Sequence, residues 1–127
     1  MSLFDRLTGQ AGKVDNQQAE KMVERLLVSN EEIVSTYKLV RDLVIFTNKR
    51  LILVDIQGAT GTKKQIQNIP YKSISHFVIE TAGVNDLDSE IELYISSASE
   101  PVVKLEMGRN KDHVYNIGKL LAEEILN

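Results

Sequence analysis

His76 and His113 are the only side chains of this 127-residue sequence that ordinarily titrate near neutrality. General acid–base work needs such a group within hydrogen-bond reach of a nucleophile or a second acid. The spacing predicts His76 inside a strand and His113 in the first turn of a helix, where the positive dipole end disfavours imidazolium. No local motif ties a nucleophile to either. Asp86, Asp88 and Glu90 recur at alternate positions, as calcium ligands can, but the glycine turn and distal bidentate glutamate of a calcium loop are missing. They read as a solvated acidic strand edge that discourages unwanted pairing. Gly58-Ala59-Thr60-Gly61-Thr62-Lys63 invites comparison with a phosphate-binding loop, yet it lacks the full glycine spacing and the helix that would aim donors at a phosphate. A flexible hairpin accounts for it. With no cysteine there is no thiolate, disulfide or sulfur metal site, and nothing asks for an oxidising compartment. These observations predict a non-enzymatic, cytoplasmic protein that needs no cofactor or metal.

Charge distribution says more than any motif. A net charge of −3 argues against general affinity for nucleic acid or anionic lipid, so nucleic acid is excluded and a membrane partner disfavoured. Within that total, residues 49–72 hold Lys49, Arg50, Lys63, Lys64 and Lys72 against Asp55 alone, a net +4. Residues 73–103 hold Glu80, Asp86, Asp88, Glu90, Glu92 and Glu100 with no cation, a net −6. Such runs usually keep a surface soluble. They also suit a contact between unlike edges of successive copies, which closes into a ring when the rotation permits. Lys49, Arg50, Lys63 and Lys64 opposite Asp88, Glu90 and Glu92 are the candidate interface residues.

The elements that must position these residues follow from periodicity. Ser2-Leu3-Phe4-Asp5 has capping-box spacing and predicts a short helix ended by Gly9, with a flexible link over Gly9 to Lys13, so residues 1–14 read as an arm. Asp15 caps a second helix over 15–28, whose Ala19, Met22, Val23, Leu26 and Leu27 form one stripe. From residue 32 the period is two, predicting strands at 32–40, 43–48, 50–57, 63–69, 74–81, 88–96 and 101–107. Thr47-Asn48-Lys49-Arg50 predicts a tight hairpin with Asn48 at positive φ. Residues 110–126 predict a final helix capped by Asn110, with Val114, Ile117, Leu121 and Ile125 on one face and Gly118 allowing close approach to the sheet. No run approaches the roughly 18 to 20 apolar residues of a membrane span.

Leu43-Val44-Ile45-Phe46 and Leu51-Ile52-Leu53-Val54 do not alternate, so both faces of these strands need cover. That cover must be a helix of the same chain, a ligand or another subunit; the helix from Asp15 to Leu27 can take part of it, and a second copy is the expected source of the rest, with apolar strand faces supplying most of the association energy.

FTNKRLILVD (46–55), NIPYKSI (68–74) and ETAGVNDLDSEIELYIS (80–96) resemble, in order and spacing, the bacterial pleckstrin-homology family. The resemblance covers residues 30–126. It implies a mainly β fold with α elements: a seven-stranded antiparallel PH-like barrel over 31–107, capped by the C-terminal helix and preceded by the N-terminal helices, with 15–127 as one domain. It also implies side-by-side assembly into cyclic homo-oligomers, rings of about five, that present a composite surface to another protein. The competing reading is a peripheral membrane or anionic-ligand module. The turn at Arg41-Asp42 is too short and too nearly neutral to cradle a polyphosphate by itself.

Overall fold

The computed structural model describes residues 7–10, 12–39, 41–81, 83, 88–96, 99–108 and 111–126. The capping box at 2–5, Asp86 and the Asn110 cap lie outside the described residues.

Among the described residues, nine strands and two helices form two compact units, one within 12–70 and the other from the residues on either side of that stretch. The chain therefore builds two sheets rather than one closed barrel. The first unit holds β2 (Gly12–Val14), α1 (Asn16–Val23), β3 (Ile33–Leu39), β4 (Asp42–Thr47), β5 (Arg50–Gln57) and β6 (Lys63–Pro70). Its five strands run in sequence order, each antiparallel to the next. The second unit holds β1 (Leu7–Gln10), a 3-10 turn at Tyr71–Ser73, β7 (Ile74–Glu80), β8 (Glu90–Ile95), β9 (Val103–Glu106) and α2 (Lys111–Ile125). Its sheet order is β1-β9-β8-β7, with β1 parallel to β9 and the other pairs antiparallel.

The predicted arm is thus corrected. Leu7–Gln10 and Gly12–Val14 are strands, where a helix end and a flexible link were expected. A capping box is a local signal worth about 1 kcal/mol, whereas each short strand gains a full ladder, Leu7 to Gln10 on Val103 to Glu106 and Gly12 to Val14 on Thr36 to Lys38.

Asp15 does cap α1, its Oδ1 accepting the Gln17 N–H at 2.8 Å. The helix stops at Val23, short of the predicted 28, and the Leu26 N–H turns back to the Val23 carbonyl. Leu26 is consequently exposed. Ala19 and Val23 are fully buried and pack with Leu43, Ile45, Ile52 and Val54, so α1 covers one face of the central strands. Each of the larger side chains among these, Val23, Leu43, Ile45, Ile52 and Val54, contributes about 1.5–3 kcal/mol when removed from water. The alternate residues Val44, Phe46, Leu51 and Leu53 are no more than 2% exposed. Both faces of these strands are buried within a single chain, which removes the reason for a second copy to cover them.

In the second unit Ile91, Leu93, Val103 and Leu105 are buried while Glu90, Glu92, Lys104 and Glu106 are partly exposed, the one wet face that alternation predicts. Helix α2 buries Val114, Ile117 and Leu121, and Leu126 beyond it is 79% exposed. A Cβ built on Gly118 would lie 2.5 Å from Ile79 Cδ1, so the glycine lets α2 approach β7 as expected.

Candidate interaction surface

The hairpin expected to present Lys49 and Arg50 is built differently from the prediction. Among the described residues Asn30 is the one non-glycine with positive φ, at 65°, and Asn48 is not in that region. Asn48 acts through its side chain, as its Oδ1 accepts the Glu32 N–H at 2.8 Å and its Nδ2 donates to the Asn30 carbonyl at 2.9 Å. Thr47 Oγ1 closes the turn by accepting the Lys49 and Arg50 N–H groups at 3.0 and 2.9 Å.

Beneath that turn lies a buried ion pair. Arg50 Nε and Nη2 each donate to Glu31 at 3.0 Å, Thr47 Oγ1 donates to Glu31 Oε2 at 2.7 Å, and the Val28 N–H donates to Glu31 Oε1 at 3.1 Å. Burial pushes the Glu31 carboxyl up, but the bonds from Arg50, Thr47 and Val28 and the Arg50 charge outweigh it and hold the group below its ordinary value. Arg50 also donates to the Leu26 carbonyl and to Asn68 Oδ1. Its donors are spent inside the unit, so it locks the 24–32 segment onto the sheet. Lys49 and Lys63, by contrast, are exposed, as is Lys64.

The acidic candidates gather with residues the sequence left apart. Register places Glu90 of β8 directly between Glu80 of β7 and Glu106 of β9, and Glu92 between Val78 and Lys104. Lys104 Nζ reaches Glu90 Oε1 at 3.9 Å. Like charges directly across strands repel. Burial first, then the hydrogen bond with Glu80, raises the Glu90 pKa, and Lys104 only partly opposes them. Among the described residues, Glu80, Glu90, Glu92 and Glu106 thus share this sheet surface with Lys104. At its end His76 stacks on Tyr94, ring centroids 4.4 Å apart and planes 8° from parallel, and Tyr94 Oη donates to Glu92 at 3.4 Å. Exposed Val78 lies between them and Glu80, giving an apolar centre with a charged rim. Asp88 precedes β8 and is half-buried. Lys104 and Glu106 were legible only as members of a wet strand; nothing local says that they flank Glu90 and Glu92.

Charge also divides between the units. Residues 12–70 carry +2 and the remainder −5. Among the described residues no group of three or more His, Cys, Asp or Glu could hold a metal ion, and no helix is long and apolar enough to cross a membrane.

The family profile described as Bacterial PH domain matches residues 2–125. The chain belongs to the bacterial PH domain family. This PH domain is 45% identical over 122 residues to the uncharacterized protein YjqA of Bacillus subtilis, spanning 96% of this chain and 97% of the relative. It is 38% identical over 92 residues to the uncharacterized protein YozO of the same organism, 72% of this chain and 77% of that one. Among crystal structures, the PH fold is shared with a DUF1696-family protein with a pleckstrin-homology domain from Shewanella loihica PV-4, at TM-score 0.73 and 38% identity over 91% of this chain and 97% of that one. A pleckstrin homology domain from Shewanella amazonensis SB2B aligns at TM-score 0.65 and 45% identity over 94% of each chain.

Proposed function

We propose that this PH domain is a non-enzymatic interaction module of the cytoplasm that assembles with itself. In this reading the acidic β7-β8-β9 face of one copy takes the basic Lys49, Lys63 and Lys64 surface of the next. Repeated head to tail, the contact closes into a ring of about five that offers a composite surface to a protein partner. The observation that carries the reading is Glu90 held between two glutamates with one lysine in reach. Repulsion of that kind is relieved when a partner's ammonium groups arrive, and the exposed Val78 beside it supplies apolar contact. Electrostatics therefore carry more of the association than the buried central strands, and salt should weaken it.

Mass determination by light scattering at high micromolar concentration tests this. A multimer that loosens with Lys49→Glu plus Lys63→Glu, and is partly restored when Glu90→Lys and Glu92→Lys are added, supports it. A wild-type chain that stays monomeric refutes it.

A further inference from the structure

His76 is exposed on β7, on the side of the strand that carries Val78 and Glu80. Two neighbours fix its ring. Tyr94 stacks against it with planes 8° from parallel, and the Ser75 hydroxyl lies 3.2 Å from Nδ1. The strand bulges between Ile74 and His76, and Ser75 within the bulge also donates to the Tyr94 carbonyl at 3.2 Å.

Those two contacts of Ser75 decide where the imidazole carries its proton. A carbonyl only accepts, so the single hydroxyl hydrogen of Ser75 goes to Tyr94 and the Ser75 oxygen accepts from Nδ1–H. In the neutral ring Nε2 therefore holds the free lone pair. Nε2 has no hydrogen-bond partner among the described residues, and with the ring exposed it is an acceptor open to solvent. Carboxylates stand on the same face. Tyr94 Oη links the ring to Glu92 of β8, whose neighbour on β9 is Lys104, while Glu80 follows Val78 on β7 and Glu90 lies opposite Glu80. Helix α2 packs at Gly118 against Ile79 and Phe77, the alternate side chains of β7, so its charged groups lie across the sheet from His76.

We infer that Nε2 of neutral His76 accepts a hydrogen bond from a lysine ammonium of the next copy, with Glu92 as counter-charge, and that a proton on Nε2 expels it. The inference rests on the self-assembly proposed above and names its regulation. Ammonium and proton compete for one lone pair, so docking and protonation exclude each other. Protonation also puts a positive charge on a face that works by being negative. A histidine ordinarily takes up its proton as pH falls through about 6.5, and a glutamate only near about 4.3. Assembly should therefore release a proton, hold at about pH 8 and weaken toward about pH 6.

Light scattering of the full chain over a concentration series at about pH 8 and about pH 6, at constant ionic strength, tests this. Competition with a proton bound at about pH 6.5 predicts that the wild-type concentration for half-assembly rises about fourfold or more at the lower pH. His76→Gln, whose amide oxygen reaches toward the Nε2 position and does not titrate, should assemble without that rise. His76→Arg, permanently charged, should be weak at both pH values, and His113→Gln should keep the wild-type dependence. Unfolding midpoints verify that the variants are folded. A wild-type multimer equally strong at both pH values overturns the inference and leaves self-assembly standing. A dependence that survives in His76→Gln, which assigns it to a carboxylate such as Glu90, or normal assembly of His76→Arg also overturns it. A wild-type chain that is monomeric at about pH 8 refutes self-assembly, and the contact falls with it.

Discussion

Replacing Arg50 with methionine keeps an apolar stem but removes every donor that Arg50 gives to Glu31, Leu26 and Asn68. The Glu31 side chain is 0% exposed and that of Arg50 is 21% exposed. Removing one partner of a buried pair leaves the other charge uncompensated, a loss of about 3–5 kcal/mol. Because Arg50 keeps some solvent, the lower end applies, about 3 kcal/mol at neutral pH, or a fall of about 1–2 M in the urea midpoint. The pH dependence gives the mechanism away. In the wild type the Glu31 pKa is lowered from 4.5, so its contribution is present above that value and lost as pH falls through the folded value. In Arg50→Met the burial that raises the pKa persists while the Arg50 contributions vanish, so Glu31 takes up its proton at higher pH and sheds the penalty. The gap between wild type and variant should therefore narrow between about pH 7 and about pH 4. Glu31→Gln added to Arg50→Met should recover part of the loss. A loss below about 1 kcal/mol at neutral pH, or a gap that does not change with pH, refutes the buried-pair account.

Three further outcomes are expected. Asn48→Gly should cost about 1–2 kcal/mol in denaturant unfolding, and Asn48→Ala the same, because both delete the side-chain bonds to Glu32 and Asn30; tolerance of glycine alone would restore the positive-φ explanation. Gly118→Ala should destabilise by crowding Ile79 Cδ1, whereas in an Ile79→Val background, which lacks that methyl, the same change should stabilise by up to about 1 kcal/mol in thermal unfolding. Glu90→Gln should stabilise by about 0.5 kcal/mol at neutral pH, since a carboxyl whose pKa is raised on folding weakens the ionised fold. That gain should vanish as acid protonates wild-type Glu90, and a destabilised Glu90→Gln would contradict the repulsion.

What could be read from the sequence was whatever repeats within a few residues. The stripe of Val114, Ile117 and Leu121 and the alternation of Ile91 and Leu93 with Glu90 and Glu92 lie where they were expected, because burial imposes the period directly. Asn48 was misread because its partners sit in a loop 16 and 18 residues upstream, and a turn motif cannot show a side chain clamping another segment. Arg50 looked like a surface cation for the same reason: its carboxylate is Glu31, 19 residues away. The row of Glu80, Glu90 and Glu106 needed strand register. The double-sided burial of Leu43 to Phe46 was legible, and only the identity of its cover was not.

The parallel pairing of β1 with β9 bears on the order in which the chain can fold as it leaves the ribosome. Every strand from β2 to β6 finds its neighbour next in sequence, so Gly12–Pro70 can close as soon as it is synthesised. Leu7 has to wait for Val103, which follows far later in the sequence. β1 is therefore made well before its partner β9 and can dock only once β9 has followed. Pulse-labelled hydrogen exchange on stalled nascent chains should find the 50–57 strand protected while β1 still exchanges freely; simultaneous protection of both would exclude this order.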